Sequence, residues 1–179
     1  MNNERKPVPY AFAYSFQEGM AQVIRKSGTG FINKQGELAI PCIYNIAYSF
    51  TEGLSLVIDK RGKRGFIDKT GNVVIPLKYD GLDAFSDGLA AVEQDGKWGF
   101  MDKDENLVIP AIYEHVNWFS EGLCCVYKDD KAGFIDKQGN IVVPFVYDTA
   151  CDFKEGLALV NKYYEYGYID TKGNEIIPL

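Results

Sequence analysis

Along the whole chain, short apolar runs alternate with polar clusters rich in Gly, Asn, Asp and Lys, and no stretch sustains the 3.6-residue apolar period of a helix. One period shows the pattern. Phe50-Thr51-Glu52-Gly53 reads as a turn, and Leu54-Ser55-Leu56-Val57-Ile58 as a short strand. Residues 59–64 form a polar connection, Gly65-Phe66-Ile67-Asp68 a second strand, and Lys69-Thr70-Gly71-Asn72 a tight turn. Val73-Val74-Ile75 is a third strand that Pro76 is expected to stop, and a segment centred on Tyr79 leads to the next Phe.

This pattern recurs five times at a spacing of roughly 34 residues, which is the mark of a repeat architecture. Phe16, Phe50, Phe85, Phe119 and Phe153 each open a Phe-x-[Glu/Asp]-Gly-[Leu/Met] motif. A Gly-aromatic pair follows, and then a Pro at 41, 76, 110, 144 and 178. Gly36, Gly71, Gly139 and Gly173 fall where a hairpin needs positive φ. Glu105 fills that column in the third copy, so its turn is expected to be strained or built differently. A column of small residues (Ala21, Ser55, Ala90, Cys124, Ala158) shares a strand face with Val23, Val57, Val92, Val126 and Val160. That face suggests strands crowding a common axis.

The ends of the chain sharpen the expectation. Pro7-x-x-Tyr10, followed by Phe16, matches Pro41-x-x-Tyr44 followed by Phe50, while the last repeat stops at Pro178-Leu179. The chain reads as a polar extension (1–6) and one five-repeat domain (7–179), with half-repeat 7–15 pairing with the C-terminal repeat. The fold class is all-β, and the favoured architecture is a closed five-bladed β-propeller. An open β-solenoid or a barrel of hairpins remains the alternative.

Asp95-Gly96-Lys97-Trp98-Gly99-Phe100-Met101-Asp102, with Phe85-Ser86-Asp87-Gly88-Leu89-Ala90 before it and Val108-Ile109-Pro110 after, resembles the WG (KWG) β-repeat family of bacterial proteins. The resemblance spans residues 7–179. The Trp of the motif occurs only in the third copy, with Thr29, Arg64, Ala132 and Tyr166 in its column elsewhere. The resemblance implies a repeat scaffold and supplies no catalytic motif.

Composition narrows the partners. A net charge of -6 on 179 residues argues against nucleic acid and against an anionic membrane surface. No signal-peptide pattern or long apolar run is read. Cys42, Cys124, Cys125 and Cys151 keep no common spacing, as expected of reduced thiols in a cytoplasmic protein.

Two carboxylate columns invite an acid–base reading: Glu18, Glu52, Asp87, Glu121 and Glu155, and Asp68, Asp102, Asp136 and Asp170 with Asn33 in the first copy. Equivalent copies give equivalent environments, whereas acid–base pairs need separated pKa values, so a structural role in turns is expected. His115 is the single histidine, and no cofactor or metal is expected. The segment between each Tyr and the next Phe varies most. It offers Tyr14, Tyr48, Asp83, His115, Asn117, Trp118 and Asp152 as ligand-binding candidates. Tyr163, Tyr164 and Tyr166 on the last hairpin, with Trp98, are candidates for a partner surface. The reading is a non-catalytic module that recognises a protein, peptide or small ligand through variable loops on one face. An oligomerisation scaffold is the first alternative, and an enzyme using the repeated carboxylates the second.

Overall fold

Each repeat folds into one four-stranded antiparallel sheet, because its Gly-, Asn- and Asp-bearing turns separate apolar runs of hairpin length. The computed structural model describes residues 10–178, and every regular element among them is a β-strand. The chain divides after Asp80 into two units.

The first unit holds two sheets, each in sequence order. One contains β1 (Phe12–Ala13), β2 (Met20–Arg25), β3 (Gly28–Asn33) and β4 (Leu38–Tyr44). The other contains β5 (Ile46–Ala47), β6 (Leu54–Ile58), β7 (Arg64–Asp68) and β8 (Val73–Tyr79).

The second unit holds three more. These are β9 (Leu82–Ser86), β10 (Leu89–Gln94), β11 (Lys97–Met101) and β12 (Leu107–Tyr113); β13 (His115–Val116), β14 (Leu123–Lys128), β15 (Lys131–Asp136) and β16 (Ile141–Tyr147); and β17 (Thr149–Ala150), β18 (Leu157–Lys162), β19 (Glu165–Asp170) and β20 (Glu175–Ile177).

The sheets differ from the sequence reading in three ways. Pro76 does not stop its strand, since β8 runs on to Tyr79. The strand bulges instead: Phe66 faces Ile75 while Arg64 faces Tyr79, so surplus residues around Pro76 loop out of the ladder and the missing N–H costs no ladder bond. The variable segments are not loops either, because each supplies the first strand of its own sheet, as Ile46–Ala47 does against Val57 and Ile58. Sheet boundaries therefore precede each Phe, and Phe12–Ala13 pairs with Val23 and Ile24 in the first sheet. Residues 7–9 of the half-repeat expected to pair with the C-terminal repeat lie outside the described residues.

The periodic columns are mechanical parts. The [Glu/Asp]-Gly pair forms a two-residue hairpin in which both residues take positive φ, for example Glu52 at 51° and Gly53 at 83°. The later turn keeps one geometry in all copies. Glu105 sits at φ 63° where Gly71 and Gly139 sit at 87° and 83°, and its N–H still reaches the Asp102 carbonyl. Of the two expectations for this turn, strain is the one realised. Glu105→Gly is expected to be neutral or to stabilise by up to about 1 kcal/mol, since a left-handed non-Gly residue carries about 1–2 kcal/mol of strain that glycine's entropy partly offsets. Urea melts of the two proteins check it.

Packing between consecutive sheets explains the two aromatic columns. The Phe of one Gly-Phe pair meets the anchor Phe of the next repeat, with centroids 4.8 Å apart for Phe31–Phe50, 4.9 Å for Phe100–Phe119 and 4.7 Å for Phe134–Phe153. The small column and the Val column are both buried. Ser55 Oγ donates to the Tyr48 carbonyl and Cys124 Sγ to the Asn117 carbonyl, so in these two copies the small residue holds the segment that follows the first strand.

Candidate ligand-binding site

In the second unit, the variable column lies on or just after the first strands of three sheets, and two side chains that follow β13 reach across, one to each neighbouring sheet. Trp118 Nε1 donates to Asp83 Oδ2 at 3.0 Å, and Asn117 Nδ2 donates to Asp152 Oδ1 at 2.8 Å. Asp83 Oδ1 also accepts the Ala84 N–H, which fixes the carboxylate and with it the indole. The second Asp152 oxygen takes no hydrogen bond from a described residue.

Together with Val116 these four side chains line a cavity of about 250 Å³. An adjoining cavity of about 160 Å³ shares Asp83 and Val116 and adds Ala91, Trp98 and His115. No Lys or Arg lines either one. Trp118 remains 56% exposed while its N–H is engaged. Two carboxylates beside an exposed indole favour a cationic group.

The structure thus brings together five of the seven ligand-binding candidates, Asp83, His115, Asn117, Trp118 and Asp152, and adds Trp98, which sequence reading placed with the partner-surface residues. Tyr14 lines a different cavity within the first unit, and Tyr48 is exposed there. Sequence reading did not single out Val116 and Ala91, which form apolar walls of the cavities. Tyr163, Tyr164 and Tyr166 project from the β18–β19 hairpin, with Tyr164 94% exposed.

Most of the repeated carboxylates are occupied in the scaffold. Glu18, Asp87 and Glu121 each accept the backbone N–H of the next repeat's turn glycine, Gly53, Gly122 and Gly156, at 2.9–3.0 Å. In the second column one carboxylate oxygen receives two backbone N–H groups of its own turn, as Asp102 does from Asp104 and Asn106, both at 2.9 Å. Asn33 does the same with its amide oxygen. Among the described residues no group of three or more His, Cys, Asp or Glu is placed to hold a metal. All four cysteines are free. Burial pushes the Cys124 and Cys125 thiols up, Cys125 to about 12, so neither is a thiolate nucleophile near neutral pH.

The turn carboxylates set an acid response. The side-chain hydrogen bond from Thr70, with those from Asn72 and the turn amides, holds Asp68 down at about 2. Asp102 and Asp170 are lowered first by their Asn partners, Asn106 and Asn174. A carboxyl depressed on folding contributes stability above its unfolded value and loses it as pH falls through the folded one. Stability is therefore expected to be level from pH 7 to about 5 and to fall from about pH 4 toward 2. Asp68→Asn, which copies the Asn33 turn, is expected to flatten part of that fall in denaturant melts across the range. An unchanged acid limb would remove Asp68 from the account.

Five WG containing repeats match residues 30–63, 65–98, 98–131, 133–164 and 166–179, and the chain belongs to this repeat family. No curated protein matches it. Among solved structures it is similar to the extracellular domain of BT4673 from B. thetaiotaomicron, at 14% identity and a TM-score of 0.54, over 93% of this chain and 28% of that one. A second structure of that domain gives 14% identity and a TM-score of 0.50, over 89% and 27%. BamB from Moraxella catarrhalis gives 11% and 0.49, over 88% and 57%. The chain thus spans less than a third of the length of the first of these proteins, and the likeness is one of fold.

Proposed function

We propose that this chain is a non-catalytic recognition module that binds a ligand carrying a cationic group, a basic peptide side chain above all, in the cavity of Asp83, Asn117, Trp118 and Asp152. One observation carries the reading. The columns that differ between copies supply both the hydrogen bonds that fix the cavity and an exposed indole that lines it together with two carboxylates. The columns that recur carry the scaffold. Support for a non-catalytic role comes from the turn carboxylates, most of which hold backbone N–H groups within and between turns. The four free thiols support a cytoplasmic location.

The chain's two tryptophans, Trp98 and Trp118, both line these cavities, so intrinsic fluorescence reports on them directly. Titration with an array of Lys- and Arg-bearing peptides is expected to shift the emission saturably. Acidic peptides of equal length are expected to have no effect, and Asp83→Asn with Asp152→Asn should abolish the response. Equal responses to acidic and basic peptides, or indifference to the double substitution, would defeat the reading.

A second reading has its own observation. Tyr163 and Tyr164 occupy the two turn positions of their hairpin at φ 52° and 67°, where the fourth copy has Asp129 and Asp130 at 53° and 59°. Asp adopts this conformation readily and Tyr does not, so two exposed tyrosines are held there against local preference. That supports an assembly edge at the hairpin. Light scattering over a concentration series, with Tyr164→Asp as the control, tests it, and a monomer at all concentrations would exclude it.

A further inference from the structure

A cavity of about 500 Å³ lies wholly in the first unit and carries the opposite charge. Its origin can be read by comparing copies. In the second, third and fourth sheets a Lys at the start of one strand pairs with a carboxylate just after the Tyr that ends the next: Lys63 with Asp80, Lys97 with Glu114, Lys131 with Asp148. In the first sheet both partners are missing, since Gly28 and Asn45 take their places. Nothing larger fits at Gly28, where a Cβ would lie 2.4 Å from the Tyr44 carbonyl oxygen. Deleting a Lys–carboxylate pair leaves open space at that position, and Gly28 and Asn45 line the cavity.

What remains around the space is cationic. Arg25, Lys26 and Lys60 line it with Ser27, Thr29 and Tyr14, and no Asp or Glu does. None of the three cations makes an ion pair with a described residue. Arg25 stacks on the Tyr10 ring, 4.6 Å from its centroid, and its Nε is out of contact with solvent and has no hydrogen-bond acceptor. A buried guanidinium donor without an acceptor is costly unless a ligand supplies one. An arginine beside two ammonium groups and hydroxyl donors is the donor set of an oxyanion site.

We propose that this cavity binds the oxyanion of a small organic acid, a carboxylate or a phosphate monoester, on Arg25, Lys26 and Lys60. The site is independent of the acidic cavity in the second unit, and the two can fail separately.

The full chain, ¹⁵N-labelled, is titrated with succinate and with inorganic phosphate at constant ionic strength, choline chloride serving as the cationic control. Saturable shifts confined to the amides of residues 24–29, 45–46 and 60 are expected with at least one anion and with no choline. A response to phosphate alone assigns the phosphate ester, and one to succinate alone the carboxylate. The decisive variant is Asn45→Asp, because Asp80 and Asp148 occupy the equivalent place in folded copies. Its carboxylate is expected to engage the cations and weaken anion affinity by about tenfold or more, with the fold intact. Lys60→Gln, on an exposed hairpin, should weaken it less. No saturable shift with either anion, or affinity unchanged in both variants, overturns the proposal.

Discussion

Phe134→Ala is expected to lower the stability of the protein by about 3–5 kcal/mol, the range seen when a fully buried aromatic is truncated in a core that cannot collapse. Phe134 has no solvent exposure, and its ring lies 4.7 Å from that of Phe153 in the following sheet. Val143, Ala158, Val160 and Ile169 belong to the same cluster, which draws on two sheets. The deletion removes contacts on both sides of the joint between those sheets, and coupling between neighbouring units is what holds a repeat protein together. A loss of this size is a large part of the 5–15 kcal/mol that a domain commonly has. Urea denaturation followed by tryptophan fluorescence and by far-ultraviolet dichroism checks it. A loss below about 1 kcal/mol would mean that the sheets do not depend on the paired phenylalanines, and Phe134→Leu, which fills most of the space, should cost clearly less.

The repeat made the fold legible, because each column that recurs does one physical job five times. The [Glu/Asp]-Gly pairs, the glycine turns and the buried small and Val columns were all readable as parts, and the structure puts them in hairpins and cores. What escaped was anything depending on a partner strand. Pro76 looked like a stop signal because a proline removes a donor, yet the bulge in β8 places it where no ladder bond is required. The segments before each Phe looked like loops because they vary, and a two-residue strand is too short to show alternation.

The site divides along the same line. Variation between copies pointed to Asp83, Asn117, Trp118 and Asp152, and only the hydrogen bonds across neighbouring sheets show that they converge. The cationic cavity was missed although its signal was present. Lys63, Lys97 and Lys131 form one column and Asp80, Glu114 and Asp148 another, and the first copy departs from both at once, at Gly28 and Asn45. A paired departure means something only when the two columns are known to touch. That is a fact of strand register rather than of spacing along the chain.

The second large effect is expected at Gly99. This glycine precedes the aromatic of its pair and does not have the positive φ that marks the turn glycines. Its requirement is space. A Cβ there would lie 2.4 Å from the Ile109 carbonyl oxygen, 2.6 Å from the Ala111 nitrogen and 2.7 Å from the Pro110 carbonyl carbon, all backbone atoms of the bulged partner strand β12. Gly30 and Gly65 meet the same crowding, at 2.4 Å and 2.5 Å from the carbonyl oxygens of Ile40 and Ile75. The Gly-aromatic and Pro columns are thus two halves of one contact, in which the bulge at the Pro presses on a strand that can carry no side chain. Gly99→Ala must push β12 away from β11, and backbone yields less readily than the end of a side chain. A cost of about 3 kcal/mol or more is expected, at the upper end of overpacking penalties. Gly96→Ala is the matched control: at φ 75° with nothing within 4 Å of an added Cβ, it should lose only about 1–2 kcal/mol to backbone strain. If the two substitutions cost the same in paired urea melts, the bulge does not press on Gly99, and the Gly-aromatic motif needs another explanation. If Gly99→Ala is the worse by about 1 kcal/mol or more, close approach of the two backbones is the reason this glycine recurs.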